Sequence, residues 1–499
     1  MRYYSISSAS RVLDLQAIVL TAICILAAAM FVVYPFAVLI AVAAVLLLLA
    51  VRSAVPARLE WWQAIVAISL AGFVVLNYGF ENLILGRVAG VPLLFGEFMM
   101  FGGLLLAIRK QGIRQLQPAF RDPIMRCLVF LMAFSALHLV FNVPRYGLYA
   151  FRDASLYVEG VLFVPAGYLW ANERNGTKRF VQCLIVIFTL NVLYSFTLPW
   201  GETLQSISPT SGVFQPTPVL GHYEEIGTYL VAGALLCAWL ADAAAGWSRR
   251  ILWVLVGAQM CGLAVQQSRS MYLGIFIVLV LLFVLGERRK LRLALRAMGG
   301  GSIAIVALLV VISLSGIKLQ GRAGEINADF LRQYALSVLS VDNSNARLSK
   351  DDDRLDWYHQ VWEGTASDPF TLLVGQGFGL PLIDFEAEDG MPIRQPHNAA
   401  MGVFGRLGVL GLSVWLVLQV LLFKRFFRAL RVQEHYLHGL ILWLLMFYIV
   451  ALLMSMVQPA LEFSHYAVPF YFIVGFSLKM LHTALAKSRV PVLAPSISI

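Results

Sequence analysis

Charge is scarce in this chain. Only 13% of its 499 residues are Asp, Glu, Lys or Arg, 60% are hydrophobic, and the mean hydropathy is +0.77. A soluble domain needs more polar surface than this to cover its core, so a water-soluble globular protein is excluded. Cysteine is nearly as sparse. Cys24, Cys127, Cys183, Cys237 and Cys261 fall in or at the edge of apolar segments, without metal-ligand spacing. Neither a disulfide framework nor a zinc site is expected, and the five read as small buried side chains. The first apolar stretch follows Arg2 and Arg11 but lacks a small-residue cleavage site. It reads as a retained first helix rather than a signal peptide.

What the chain has is a series of apolar runs of bilayer-spanning length. Fourteen candidate spans lie near residues 17–33, 35–51, 61–77, 92–108, 126–141, 156–171, 180–199, 227–243, 251–266, 271–286, 302–316, 407–423, 437–456 and 467–483. Only Tyr34 and Pro35 separate the first two, so the expected number is twelve to fourteen. The fold class is therefore an all-α polytopic membrane protein. The formal net charge of +10 does not call for nucleic acid, because the basic residues sit in short loops between spans. With the N-terminus inside, every second loop is basic: Arg109, Lys110, Arg114 and Arg121 in one, Arg288, Arg289, Lys290, Arg292 and Arg296 in another, Lys424, Arg425, Arg428 and Arg431 in a third. This alternation is the positive-inside pattern and places both termini in the cytoplasm.

Three parts follow: residues 1–316 with the first eleven spans, a large outside loop over 317–405, and residues 406–499 with the last three spans and a cytoplasmic tail. The loop carries helical signals. Ile326, Phe330, Tyr334 and Val338 recur at helix spacing, and Asp351, Asp352 and Asp353 precede RLDWYHQVW as acids at a helix start. These three acids read as caps rather than as a D-x-D metal site. Asp368-Pro369 signals a turn, and GQGFG at 375–379 is incompatible with regular helix.

Several residues have side chains suited to chemistry. Arg269, in QQSRSMYLG between two spans, either snorkels to the interface or acts as a fixed cation for phosphate. Arg354 shares a helix face with Trp357. His397-Asn398 stands at the mouth of a span, where an imidazole titrates near neutrality or is simply structural. Gly402, Gly405, Gly408 and Gly411 follow at spacings of three and should let that helix pack closely. Arg145 and Arg152-Asp153 lie in an outside loop, and Glu224 and Glu225 follow His222 before the eighth span. The two glutamates are candidate bases or helix-start acids.

In order, QQSRSMYLG, RLDWYHQVW, GQGFG and PHNAAMGVFGRLGVLGL resemble the signatures of the O-antigen ligase and polysaccharide polymerase superfamily, over about residues 145–412. FRDASLYVEG also resembles that family's Arg-Asp segment, whereas the pair of glutamates in SGVFQPTPVLGHYEEIG matches no signature of it. The resemblance implies a glycosyltransferase at the periplasmic face of the bacterial inner membrane. Its donor is a glycan on a polyprenyl (undecaprenyl) diphosphate carrier. The acceptor is a hydroxyl of lipid A-core in lipopolysaccharide biosynthesis, or of another carrier-linked glycan, as in polymerisation of an exopolysaccharide. The family acts with inversion and with no metal or other cofactor. Carried onto this chain, Arg269 and Arg354 would stabilise the leaving diphosphate and His397 would take the acceptor's proton. Arg152, Arg145, Trp357, Asn398, Glu224 and Glu225 would bind substrate, one of the two glutamates being the runner-up base. Besides substrates, the partners implied are membrane lipids. A transporter or flippase for lipid-linked glycans is the alternative, but it needs no large loop bearing a His and should show related halves.

Overall fold

The computed structural model describes residues 59–88, 91–213, 216–222, 226–315, 353–386 and 392–488. The first two candidate spans, the Ile326–Val338 periodicity, Asp351, Asp352, Glu224 and Glu225 lie outside them. In chain order the main helices are α1 (Trp61–Val75), α2 (Phe95–Gln111), α3 (Pro123–Tyr146), α4 (Leu148–Asn172), α5 (Gly176–Ser195), α6 (Ile226–Ala243) and α7 (Gly246–Gln266). They are followed by α8 (Arg269–Val284), α9 (Arg288–Ser315), α10 (Asp353–Thr365), α11 (Ala399–Ala429), α12 (His435–Val457) and α13 (Ser464–Ser488). Among the described residues, six are long and apolar enough to cross a membrane: α3, α4, α5, α11, α12 and α13. Shorter apolar helices, α1, α6 and α8, stand beside them. Strand is confined, among the described residues, to three short antiparallel ladders, the longest pairing Ile84–Val88 with Val91–Leu94. This is the all-α membrane bundle that the hydropathy predicts.

Helices α4 and α13 form the bundle's centre. A side chain at Gly167 would overlap the Phe472 carbonyl, and one at Gly475 the Val164 carbonyl, so the two backbones meet without intervening side chains. Such close approach through small residues is how helices associate where lipid offers no hydrophobic drive.

Two boundaries differ from the sequence reading. The outside loop expected around Arg145 and Arg152 is reduced to Gly147, which turns the chain at φ +59° between α3 and α4. The polar Arg152-Asp153 pair is tolerated in a helix because Asp153 is paired with arginines from later segments. The basic run 288–296 is likewise helical, as the start of α9, with Arg289 paired to Asp242 at 2.9 Å. The glycine series behaves differently from the simple close-packing face expected of it. Gly402 faces Glu462 and Gly405 faces Leu382, but Gly408 (φ +65°, ψ −165°) interrupts the helical path of α11.

The stretch between α10 and α11 has its own small core of Trp357, Val361, Leu382, Ile383 and Phe404. Asp368 caps the short helix Pro369–Val374, accepting from the backbone N–H groups of Phe370 and Thr371 at 2.9 and 3.0 Å. Gly375, Gly377 and Gly379 then all take positive φ, as the GQGFG motif predicts. Asn142 of α3 donates to the Phe378 carbonyl at 2.9 Å and ties this turn to the Gly147 end of the bundle. At the opposite end, Lys110 pairs with Glu173 at 2.9 Å, and Asp122 pairs with Arg425 and with His482 Nε2, the latter at 2.7 Å.

Candidate functional site

The Gly147 end gathers most of the residues singled out from the sequence. Asn398 caps α11, its Oδ1 accepting from Met401 N–H at 3.1 Å. The residue before it, His397, is held at φ +49°, a conformation few non-glycine residues adopt. Its ring stands edge-on to Trp357, with centroids 5.2 Å apart at 78°. Trp357 is buried, walled on another side by Phe385 at 5.3 Å. Asn398 Nδ2 also donates to the Tyr358 hydroxyl at 3.4 Å. Two motifs forty residues apart are thus one cluster. Arg354 is in the first turn of α10, three residues before Trp357, and is half-buried.

Arg269 is the first residue of α8. Its side chain lies outside the described ones, but its neighbour Ser270 donates to Met454 Sδ at 3.6 Å, near the C-terminus of α12. That puts its backbone at the same end of the bundle. Arg152, on α4, lines a cavity of about 280 Å³ together with Glu462. Arg145 is in the last turn of α3 and exposed, and does not line this cavity. Glu224 and Glu225 lie outside the described residues. His222, just before them, stacks on Tyr194 (4.5 Å, 20°) and meets Thr197 Oγ1 at 3.0 Å. Burial pushes its pKa down to about 4, so it is neutral at physiological pH.

Sequence reasoning missed the ionic framework behind these residues. The carboxylate of Asp153 lies 2.8 Å from Arg406 and 3.6 Å from Arg394, and accepts from Gly379 N–H at 3.0 Å. Arg406 also donates to the carbonyls of Gly377 (3.2 Å) and Leu380 (2.5 Å), and Arg394 to that of Gly379 (2.7 Å). The glycine turn is therefore clamped between α4 and α11. Arg394 is three residues from His397, so the clamp also fixes the approach to that histidine. Burial and the nearby Arg152 and Arg406 lower the pKa of Arg394, against the pull of Asp153. An arginine inside PHNAAMGVFGRLGVLGL, at the mouth of an apolar helix, was the available signal.

Glu462, between α12 and α13, was also missed. It packs against Gly402 in the first turn of α11 and is hydrogen-bonded by Gln395. Burial pushes its pKa up to about 7, although Arg406 and Arg152 draw it down. Nearby, Glu81 accepts from the backbone N–H of His465 at 2.9 Å and meets its Nδ1 at 2.5 Å. The arrangement offers a histidine on an aromatic wall, several arginines, and a cavity bordered by carboxylates. Such a set can hold an anionic group, move a proton and bind a polar ligand.

No curated protein matches the chain. Residues 251–416 match the model of the O-antigen ligase family, about a third of the chain. The matched segment runs from α7 into α11 and holds Arg269, Arg354, Trp357, the glycine turn, His397, Asn398 and Arg406; Arg145, Arg152, Asp153 and Glu462 lie outside it. Members of this family are membrane glycosyltransferases. With the ordered motifs meeting at one end of a helical membrane bundle, this match makes residues 251–416 similar to the O-antigen ligase family and supports the O-antigen ligase and polysaccharide polymerase superfamily.

Proposed function

We propose that this protein transfers a glycan from a polyprenyl diphosphate carrier to an acceptor hydroxyl at the periplasmic face of a bacterial inner membrane. The observation that carries the proposal is the contact between His397 and Trp357. It joins the PHN and RLDW motifs of the matched segment in one cluster beside Arg354, at the end of the bundle where α8 begins with Arg269. The alternation of basic loops supports cytoplasmic termini and a periplasmic loop.

In this reading the acceptor oxygen attacks the anomeric carbon from the face opposite the carrier. A bond from that carbon to the acceptor oxygen forms, and the bond to the carrier phosphate oxygen breaks. The acceptor's proton passes to His397, a neutral imidazole being an adequate base near pH 7. The electron pair leaves with the diphosphate, whose growing charge Arg269 and Arg354 stabilise. Arginine suits this task because its fork of donors matches phosphate oxygens. The configuration inverts, and the residues named need no metal ion for these steps. The acceptor is lipid A-core if the protein is a ligase, and the sugar end of another carrier-linked unit if it is a polymerase.

The test is the glycan profile of a strain lacking this gene and any other member of the family, complemented with wild type or Arg269→Ala. Long polymer stranded on the carrier identifies a ligase, and single units on the carrier identify a polymerase. Arg269→Ala, at normal protein level, should fail to restore the profile. An unchanged profile in the deletion strain overturns the transferase, and carrier-linked glycan confined to the cytoplasmic leaflet makes the protein a transporter instead.

A further inference from the structure

The cavity of about 280 Å³ at the Gly147 end is formed by α2, α4 and the connections before α2 and α13. It lies just below the usual range for ligand pockets, about 300–1,000 Å³, and suits the end of a glycan rather than a whole chain. Its walls differ in character. Tyr78 and Phe463 meet edge to face, with centroids 5.8 Å apart, and make an aromatic corner. Glu81, Glu97 and Glu462 supply carboxylates, and Arg152 is the cation among the lining residues. Glu81 is fixed by two contacts from His465, through the backbone N–H and Nδ1. Glu462 is fixed by Gln395, two residues before His397, and by the surface of Gly402.

We infer that this cavity holds the terminal sugar of the acceptor, and that it takes an uncharged or amino-bearing sugar while rejecting phosphorylated or acidic ones. The inference rests on the transferase reading. Aromatic corners fit the C–H faces of a pyranose, and carboxylates accept strong hydrogen bonds from its hydroxyl or ammonium groups. Immobilised carboxylates are already oriented, so less ordering is required on binding. A diphosphate brought beside Glu81 and Glu97 would meet repulsion that one arginine does not offset, and Glu462 adds to it in its ionised form. A polyprenyl tail would strip water from those carboxylates without replacing their hydrogen bonds. The donor's diphosphate and lipid therefore belong elsewhere at this end. The wall formed by Glu462 abuts the first turn of α11, so a sugar seated here is presented toward the His397 segment.

Binding can be read without turnover on the purified full chain in nanodiscs, by saturation-transfer NMR for the sugars and by phosphorus-31 line broadening for inorganic pyrophosphate. The probes are glucose, glucosamine, glucose 6-phosphate and inorganic pyrophosphate. Wild type should give signal with glucose and glucosamine and much less with glucose 6-phosphate. Val158→Trp, which fills the cavity, should abolish the sugar signals and leave pyrophosphate binding intact. Where Val158→Trp does not fold, Glu97→Gln decides the matter: the apparent affinity for glucosamine should fall about tenfold, the worth of one charge-assisted hydrogen bond. Pyrophosphate lost and sugar retained in Val158→Trp, no sugar signal in wild type, or unchanged sugar affinity in Glu97→Gln would each overturn the assignment. The transferase reading is judged separately by the glycan profile of the deletion strain. A chain that restores the profile yet shows no sugar binding in this cavity defeats only the present inference.

Discussion

The carboxylate of Asp153 and the guanidinium of Arg406 lie 2.8 Å apart, with side-chain exposures of 0% and 2%. A pair so completely enclosed is worth little net stability as a pair, yet removing one partner strands the other charge. Asp153→Ala should therefore destabilise the protein by roughly 3–5 kcal/mol. The double replacement Asp153→Leu with Arg406→Leu should cost clearly less than the two single changes added together. Thermal unfolding of the four proteins in detergent closes the cycle. Strictly additive losses would show that the two side chains are not coupled.

His397→Ala should leave the protein folded and in the membrane, because Asn398 and not His397 caps α11. Loss of a general base typically costs about 10²–10⁴ in rate. Transfer measured at matched protein level should fall by that order. Full activity would remove His397 from the mechanism and return attention to the carboxylates.

Glu462 makes stability depend on pH. Its folded-state pKa is raised from 4.5 to about 7, chiefly by burial. Below pH 4.5 the carboxyl is protonated whether folded or not, and contributes no difference. Between about pH 4.5 and 7 the unfolded chain gives up this proton more readily than the fold does, so stability falls as pH rises. The full penalty, present above pH 7, is on the order of 3 kcal/mol. Glu462→Gln keeps the neutral shape, so it should raise the unfolding temperature at pH 8 and change it little at pH 5. An equal effect at both values would mean that Glu462 is ionised throughout.

Gly375 has φ +87°, and a side chain there would strike the backbone of Arg406 and Leu407. Left-handed backbone alone costs a non-glycine residue roughly 1–2 kcal/mol, and here the opposing atoms are main chain and cannot swing away. Gly375→Ala should loosen the turn from α11 and increase trypsin cleavage at Arg394. Gly86→Ala, with no atom within 4 Å of the added carbon, should leave that cleavage unchanged.

The sequence reveals what is periodic or punctuated. The apolar helices follow from hydropathy, α10 from the acids that precede RLDWYHQVW, and the irregular turn at 375–379 from three glycines that all take positive φ. His397 and Asn398 stand out because polar residues at the mouth of an apolar run are conspicuous. Long-range pairing is invisible to this kind of reading. The bond from Gly379 to Asp153 bridges 226 residues, and no local pattern joins them. Without that partner, Asp153 looks like a loop residue, and hydropathy alone starts this span near residue 156 where α4 begins at Leu148. Glu462 is a single acid in a short connection between spans, indistinguishable by sequence from a solvated one. Its environment is made by Gly402, Gln395 and Arg406, each of which comes from another segment.

The clamp on Asp153 also sets an order of events during synthesis. Its partners at 379, 394 and 406 are made more than two hundred residues later, and at roughly 5–20 residues per second the delay is tens of seconds. The hairpin of α3 and α4 must therefore leave the insertion machinery bearing an unmatched acid near its tip, where water can still solvate it. Only when α11 arrives does that acid become enclosed. The ion pair therefore closes only after α11 has been made, and a nascent protein that stops short of Arg406 retains a hydrated carboxylate at this spot.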